Sequence, residues 1–331
     1  MEFLQINNHT AAVEEIVPIE TVESPTSDLH FINGNTIAMP MEQIKLNHLI
    51  PVFIKDNEPV ISQIDFIETV LDAVKKVFLG ERILKPVVRV SHPVKGRIPE
   101  AKDKPAIELQ EYEKTVYYER AAFIIELPDI ADVINGNHVC LTVGGIKNYS
   151  SDSLYNRKGA DEHFKVFIGF QNKVCLNLSL WSDGFIGDLK VKTRAQLFNA
   201  SYSLFASYDA VTHLGAIKRF ENYSLTEQQF AHVIGRSRMY QNLPVELKEH
   251  IPALSFGDNL IGTICRDYYK DNSFCRMENG DINLWNLYNL FTGANKSSYI
   301  DTFLDRSVNA YQFIDNIRIA LDNQGTNWFL N

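Results

Sequence analysis

The stretch KTVYYERAAFIIELPDIADVINGNHVCLTVGGIKNYS, residues 114–150, decides the fold of this chain. Two of its runs, 114–127 and 138–150, are rich in aromatic and β-branched residues, which favour β-strands. Asn135 and Gly136 lie between the runs, and Asn-Gly is the pair that a tight hairpin turn prefers. The stretch therefore predicts a long antiparallel hairpin.

Two flanking segments extend the predicted sheet. KPVVRVSHPVKGRIP (85–99) comes before the hairpin, and HFKVFIGFQNKVCLNLSLW (163–181) comes after it. One face of the second segment consists of alternating apolar residues: Phe164, Val166, Ile168 and Phe170. No helical crossover separates these strand-like runs, which indicates a mainly antiparallel sheet.

Helical periodicity appears before this sheet and again after it. Residues 62–80 carry an apolar stripe, with Ser62 as N-cap and Asp65 in the capping-box position. Ser224 and Glu227 also have the spacing of a capping box, with Ser224 as the predicted N-cap. After residue 193 we expect helices at 194–208, 225–240, 258–270, 282–292 and 297–321. A run of strands followed by a run of helices predicts an α+β fold, a mainly antiparallel sheet followed by a helical C-terminal part.

Charge is distributed unevenly along the chain. The net charge is −9, yet the first 44 residues contain seven acidic residues and no Lys or Arg, so that 34 acidic and 32 basic residues remain. We expect an acidic, disordered tail at 1–44, a sheet-containing region at 45–193 and a helical region at 194–331 packed on the sheet.

Cysteine usage and hydropathy suggest a compartment. The four cysteines are scattered and no pair has CxxC spacing, which argues against a disulfide framework. No apolar run reaches 18 residues, and no basic start is followed by an apolar segment. We therefore expect a cytoplasmic protein with no membrane association.

The segment Gly293-Ala294-Asn295-Lys296-Ser297-Ser298 resembles the end of a phosphate-binding loop. Such a loop needs a Gly-Lys pair and a glycine six residues before the Lys, but this chain has Leu290 and Asn295 at those two glycine positions. The segment instead predicts a helix–loop–helix junction, in which Gly293 ends one helix and Ser297 or Ser298 caps the next. Lys296 at a helix start would remain available to an anion.

Signatures of catalysis are weak. No GxSxG elbow and no i, i+4 histidine pair is present, so we expect no catalytic residue, no metal and no cofactor. Pro128-Asp129, which we expect to end a strand, and Asp188-Leu189-Lys190 resemble the PD and (D/E)xK elements of a metal-dependent nuclease. In that hypothesis Asp129 and Asp188 would hold one ion beside Lys190.

Basic and aromatic residues are interleaved along the predicted strands. Basic residues can follow a phosphate backbone and aromatic rings can stack on bases, a combination suited to single-stranded nucleic acid. The alternative is a solvated sheet edge, where Lys and Arg prevent aggregation. The residues predicted to bind nucleic acid are Arg89, His92, Lys95, Arg97, Tyr118, Arg120, Lys165, Lys173 and Lys296.

Several blocks resemble a family of proteins with a domain of unknown function that occurs in Bacteroidetes genomes, near conjugative and phage-like elements. The blocks are RVSHPVKGRIPEA, TVYYERAAFIIELP, LTVGGIKNYSSDSLYNRK, HFKVFIGFQNKVCLNL and LWNLYNLFTGANKSSYIDTFLDRS, within residues 45–331. GFQNKVCLNL and WNLYNLFTGANK are also similar, more distantly, to phage/plasmid-like proteins. The resemblance implies a cytoplasmic accessory protein of a mobile element and transfers no catalytic residue.

Three hypotheses about function follow. The first is a non-catalytic protein that binds or anneals single-stranded nucleic acid. The second is a protein-interaction module, regulatory or anti-defence, whose acidic tail docks on a host or element protein. The third is the nuclease described above. The sequence favours a non-enzymatic role over the third and does not specify the oligomeric state.

Overall fold

The computed structural model describes residues 30–47, 50–51, 61–101, 103–148 and 161–330. The strands, in chain order, are β1 (Ile37–Ala38), β2 (Ile50–Pro51), β3 (Val87–Val90), β4 (Pro93–Arg97), β5 (Lys114–Tyr118), β6 (Arg120–Ile134), β7 (Asn137–Asn148), β8 (Glu162–Asn172), β9 (Leu178–Ser179), β10 (Phe185–Val191), β11 (Ser224–Leu225) and β12 (Ile282–Asn283). The α-helices are α1 (Met41–Asn47), α2 (Gln63–Val77), α3 (Arg194–Ser207), α4 (Ala210–Lys218), α5 (Glu227–Gln241), α6 (Val245–Lys248), α7 (Asp258–Lys270), α8 (Leu284–Asn295) and α9 (Ile300–Asp322). Longer strands precede residue 193 and most helices follow it, so the predicted α+β class is confirmed.

The strands form three antiparallel sheets. The large sheet has the order β1-β3-β6-β7-β8-β10, with β9 also paired to β8. A small sheet contains β2, β4 and β5, and a third pairs β11 with β12. The helices of the described residues include none that is both long enough and apolar enough to cross a membrane.

The β6–β7 hairpin lies at the centre of the large sheet, as the sequence predicts. Asn135 and Gly136 form its turn with φ angles of 46° and 73°, and Ile134 pairs with Asn137 beside them. Asn and Gly adopt positive φ more readily than other residues, so this pair sets both the turn and the register.

Both faces of the hairpin are buried. On one face the ring of Phe66, from α2, lies 5.1 Å from the ring of Phe123 and 4.8 Å from that of Phe164. On the other face Ala122 and Ile124 of β6 belong to a second apolar cluster. That cluster also contains residues of α9 and of the chain before β1: Phe31, Ile32, Ile300, Phe303, Leu304 and Val308.

The paired strands that lead into the hairpin bend where they pass from the large sheet to the small one. We call this strand pair the ribbon. Val90 pairs with Ala121 in the large sheet, and Pro93 pairs with Tyr118 in the small one. Two residues intervene on each strand, so the register is the same on both sides. The predicted strands 85–99 and 114–127 are therefore each divided in two, without an insertion.

Hydrogen bonds hold the ribbon together at this bend. The backbone N–H of Ser91 donates to the carbonyl of Arg120, and that of Glu119 donates to the carbonyl of His92, both at 3.0 Å. The backbone remains paired while its direction changes. We call Ser91, His92, Glu119 and Arg120 the sheet bend.

The strand does not end at Pro128 and Asp129, so that prediction is wrong. β6 continues to Ile134, and its pairing with β7 shifts between Leu127 and Ala131. This irregularity is a β-bulge, in which extra residues need no ladder partner. Proline has no N–H to donate and is tolerated there.

The helix predictions are largely confirmed. The N–H of Asp65 donates to Ser62 Oγ at 3.1 Å, and the N–H of Ser62 donates to Asp65 Oδ2 at 3.2 Å, which completes the predicted capping box of α2. The predicted cap at Ser224 is wrong, because Thr226 and Gln229 form the capping box of α5. Helices α1, α4 and α6 were not predicted.

Part of the segment expected to be a disordered tail is folded. Ile37 and Ala38 pair with β3, and Phe31 and Ile32 are buried. Burial of this segment against α9 explains its order, because two apolar side chains leave water. Residues 1–29 lie outside the described part of the chain.

A buried histidine lies where α4 packs on the sheet. The ring of His213 is surrounded by the rings of Phe170, Trp181, Tyr208 and Tyr311, with centroids 5.5–5.9 Å away. Its Nδ1 is hydrogen-bonded to the Tyr208 hydroxyl. Burial lowers the pKa of His213 from 6.5 to about 3, because the charged imidazolium would lose its hydration.

The packing of Phe66 predicts a stability change. Phe66→Ala should lower the free energy of unfolding by about 3–5 kcal/mol, since it leaves a cavity between Phe123 and Phe164. Leu79→Ala is the matched control, because Leu79 follows the same helix and is 82% exposed. Urea unfolding followed by circular dichroism measures both. A similar loss in both variants would contradict the packing described above.

The buried imidazole of His213 predicts a pH dependence of stability. Between pH 6.5 and about 3 the unfolded chain binds a proton that folded His213 does not. Its contribution to stability is therefore complete above pH 6.5 and is lost as the pH falls, by up to about 1.4 kcal/mol per pH unit. Urea unfolding from pH 7 to pH 4 should show a shallower slope for His213→Asn than for the wild type. Equal slopes would overturn the assignment, and exposed His250→Asn is the control.

A candidate polar pocket at the sheet bend

A small cavity opens where the ribbon changes sheets. Its volume is about 170 Å³. It is bounded by the sheet bend, by the loop before β1 and by the start of α9. The residues that line it are Gly34, Asn35, Ser91, His92, Arg120, Tyr299, Ile300 and Asp301. We call it the bend pocket.

The start of α9 supplies backbone donors to the bend pocket. Tyr299 is the N-cap residue, and no side chain caps the helix there. The first N–H groups of a helix have no partner within the helix, and its N-terminus carries a partial positive charge. The 23-residue helix α9 therefore presents donors and a favourable field to an oxygen-rich ligand.

An ion-pair network forms one wall of the bend pocket. Arg120 Nε donates to both carboxylate oxygens of Asp301, at 2.8 and 2.7 Å. Arg120 Nη1 lies 2.7 Å from Glu119 Oε2. Lys165 Nζ donates to the backbone carbonyl of Asp301 at 2.7 Å and pairs with Asp305. These contacts hold the guanidinium at the helix start and neutralise much of its charge.

Three further side chains remain available to a ligand. Ser91 is only 8% exposed, and its Oγ has no hydrogen-bond partner in the described residues although it lines the pocket. A buried hydroxyl without a partner is unfavourable, so a polar ligand atom would satisfy it. His92 is exposed, and Tyr299 is 62% exposed.

The loop before β1 is fixed to the junction of the last two helices. The N–H groups of Asn33 and Gly34 donate to the carbonyl of Lys296, at 2.8 and 3.0 Å. A Cβ at Gly34 would lie 2.4 Å from the carbonyl oxygen of Ser298, so only glycine fits this approach. Asn35 has a φ of 49°, which turns the chain toward β1.

The helix junction itself differs in detail from the prediction. α8 continues past Gly293 to Asn295, and neither Ser297 nor Ser298 caps α9. Lys296 is buried and donates to the carbonyl of Cys175, and desolvation lowers its pKa. Lys296 is therefore unavailable to an anion, and the prediction that it binds one is wrong.

Four other predicted nucleic-acid-binding residues have structural partners. Arg89 is buried and donates to Thr36 Oγ1 and to the Thr36 carbonyl, at 2.8 and 2.7 Å. Arg97 is buried and donates to backbone carbonyls, including that of Ala101. Tyr118 and Lys173 contact Met39 and Glu126, respectively. These side chains do not form an exposed basic groove.

Tertiary structure brings together three of the predicted residues. His92 and Arg120 line the bend pocket, and Lys165 reaches its helical wall through Asp301. Lys95 is exposed on β4, three residues after His92. Arg89 and Arg97, expected on the same strand as His92 and Lys95, lie in different sheets.

Ser91, Tyr299 and Asp301 were not predicted as site residues. Pro93, within a strand-like run, was the signal that could have located the bend, since proline disrupts a continuous ladder. For Tyr299 no comparable signal exists, because its exposure depends on how α9 meets the sheet.

The proposed nuclease elements do not meet. Asp129 lies on β6 and Asp188 on β10, with β7 and β8 between them. Three strand spacings amount to about 14 Å, too far for two carboxylates to share one ion. Asp129 pairs with Arg82, and Asp188 pairs with His163 and Lys190. This geometry contradicts the nuclease hypothesis.

Comparison with known proteins identifies the family. A family model described as "Domain of unknown function, B. Theta Gene description (DUF3871)" matches residues 11–330. The chain therefore belongs to this family, and the match extends into the acidic segment before residue 45. No curated protein and no solved structure matches the chain.

The wall of the bend pocket predicts a measurable coupling. A double-mutant cycle with Arg120→Ala and Asp301→Ala should give a coupling free energy of about 1–2 kcal/mol between the two side chains, because the pair is partly buried and doubly hydrogen-bonded. The more exposed pair Arg82–Asp129 should couple by less than about 0.5 kcal/mol. Chemical denaturation of each single and double variant gives both values. Equal coupling energies would show that the wall is not preorganised.

Proposed function

We propose that this member of the DUF3871 family is a non-catalytic accessory protein that binds single-stranded nucleic acid at the bend pocket. The observation that carries the proposal is the meeting of the exposed Tyr299 with backbone N–H groups that no side chain caps, at the start of α9. A base can stack on the ring, while Ser91 and the helix N–H groups face an adjacent phosphate or base oxygen.

The charge distribution supports a local contact. Most of the predicted basic residues already have acidic or carbonyl partners, and Arg120 is paired twice. Lys95 is the exposed cation nearest in sequence to His92. We therefore expect one or two phosphate contacts, and a logarithmic salt slope of magnitude near 1, since each contact on a single strand contributes about 0.7.

The cellular context comes from the resemblance described above. That resemblance implies a mobile-element context, and we propose that the chain acts in the cytoplasm as an accessory of such an element.

A second candidate function is docking on a basic host or element protein through the acidic N-terminal segment. It is favoured by the seven acidic residues and the absence of Lys and Arg in the first 44 positions. Deletion of residues 1–29 separates the two functions: binding at the bend pocket should persist, while docking of this kind should be lost.

The principal test is titration of the full chain with an unlabelled single-stranded oligonucleotide in about 50 mM salt, followed by calorimetry. Tyr299→Ala should weaken binding about tenfold, because stacking on one aromatic ring contributes about 1–3 kcal/mol. Tyr299→Phe should bind like the wild type, since the ring remains. Lys95→Glu should reduce the salt slope.

Tyr112→Ala is the matched control, because Tyr112 is 75% exposed and lies outside the bend pocket. It should bind like the wild type. Failure of the wild type to bind, or an equal loss in Tyr112→Ala and Tyr299→Ala, would overturn the proposal. Reversal of Arg89 or Arg97 is not informative, because both guanidinium groups are buried.

A further inference from the structure

The donors of the bend pocket suit a ligand group that only accepts hydrogen bonds. Ser91 lines the pocket and is 8% exposed, and its Oγ has no hydrogen-bond partner among the described residues. The N–H groups of Ile300 and Asp301, the first two residues of α9, have no partner within the helix. An ionised carboxylate or a phosphate accepts hydrogen bonds and donates none, so either group would satisfy these donors.

The acidic side chains already at the bend pocket do not fill this role. Asp301 is the one acid among the lining residues, and both of its carboxylate oxygens accept from Arg120 Nε, at 2.8 and 2.7 Å. Glu119 Oε2 lies 2.7 Å from Arg120 Nη1. Tyr299 provides no side-chain cap for α9. The described part of the pocket therefore offers these donors to a carboxylate from elsewhere.

The segment before residue 30 is attached beside the bend pocket. His30 is the first described residue, and Gly34, which lines the pocket, follows it by four positions. Four residues span at most about 14 Å, so the segment joins the folded body within that distance of Gly34. The ring of Phe31 lies 6.3 Å from that of Phe303, in the first turn of α9. The segment is thus attached on the side of the helix start.

Two carboxylates of this segment have the necessary reach. Glu20 and Glu23 lie ten and seven residues before His30, and chains of those lengths span up to about 36 and 25 Å. Both spans leave enough chain for a reversal of direction toward the pocket. Residues 24–28 are Ser-Pro-Thr-Ser-Asp, types that favour turns. A tether of this kind holds an attached group at an effective concentration on the order of 1 mM.

The composition of the segment fits the bend pocket. No Lys or Arg occurs in the first 44 residues, so no cation of the segment competes for its carboxylates. Ile19 and Val22 alternate with Glu20 and Glu23, and such apolar side chains can pack on Tyr299, which is 62% exposed. The family match described above begins at residue 11 and therefore includes these positions. Segment and folded body belong to the same matched unit.

We infer that Glu20 and Glu23 dock in the bend pocket, with their carboxylates at Ser91 and at the start of α9, and that the segment competes there with nucleic acid. The competition rests on the proposed function, because it needs a nucleic-acid ligand at the same donors, whereas the docking does not. Nucleic acid then binds only the undocked fraction of molecules, which lowers its apparent affinity for the full chain.

The test compares two double variants of the full chain that remove the same charge from the same segment. The first combines Glu20→Gln with Glu23→Gln, and the matched control combines Glu14→Gln with Glu15→Gln. Hydrogen exchange followed by mass spectrometry, without nucleic acid, measures the N–H groups in a peptide that covers residues 299–302. Exchange there should be at least about twofold faster in the first variant than in the wild type, because donors that are bonded half of the time exchange at half the rate. The control should exchange like the wild type.

The same proteins are then titrated with the single-stranded oligonucleotide in about 50 mM salt. Loss of docking should raise the affinity of the first variant at least about twofold, and that of the control should not change. Unchanged exchange in the first variant, or equal changes in both variants, would overturn the docking, since charge without position would then explain the result.

Two further outcomes separate this inference from the proposed function. Faster exchange in the first variant without a gain in oligonucleotide affinity would overturn the competition. Faster exchange in the first variant, with no oligonucleotide binding by the wild type, would overturn the proposed function and support the docking.

Discussion

The structure depends on one constraint: the central hairpin is apolar on both faces, so both faces must be covered. A sheet with one solvent-exposed face would have polar residues at alternate positions. Between Ala121 and Leu127, β6 has only one polar residue, Glu126. Helix α2 covers one face through Phe66, and Gly145 leaves room for that ring, since a Cβ there would lie 2.4 Å from Phe66 Cζ. The other face is covered by the first half of α9.

The bend pocket is a consequence of that covering. α9 must reach the second face of the sheet, and it begins beside the point at which the ribbon leaves the large sheet for the small one. The Arg120–Asp301 pair joins these two elements. A long helix with an uncapped start is thereby held against a bent ribbon, and the donors at the helix start face the cavity between them.

Many of the charged side chains that were predicted to bind nucleic acid are instead hydrogen-bonded to groups within the fold. Arg89 holds the turn before β1, Arg97 holds backbone carbonyls, and Lys296 ties the helix junction to Cys175. A buried cation needs such partners because its desolvation is otherwise too unfavourable. The same junction anchors Gly34 and the loop that completes the pocket, so its role is structural.

Local patterns in the sequence determined the α+β class, the Asn135–Gly136 hairpin, the alternating face of β8 and the capped start of α2. Each depends on residues close together in the chain, whose turn propensity, periodicity or capping acts without distant partners. The bend in the ribbon, the bulge at Pro128, the burial of Arg89 and Lys296, and the meeting of Ser91 with Tyr299 were decided by tertiary structure. In each of these cases the outcome depends on what packs against the residue from a distant part of the chain, and burial then determines whether a charge faces solvent or a carbonyl.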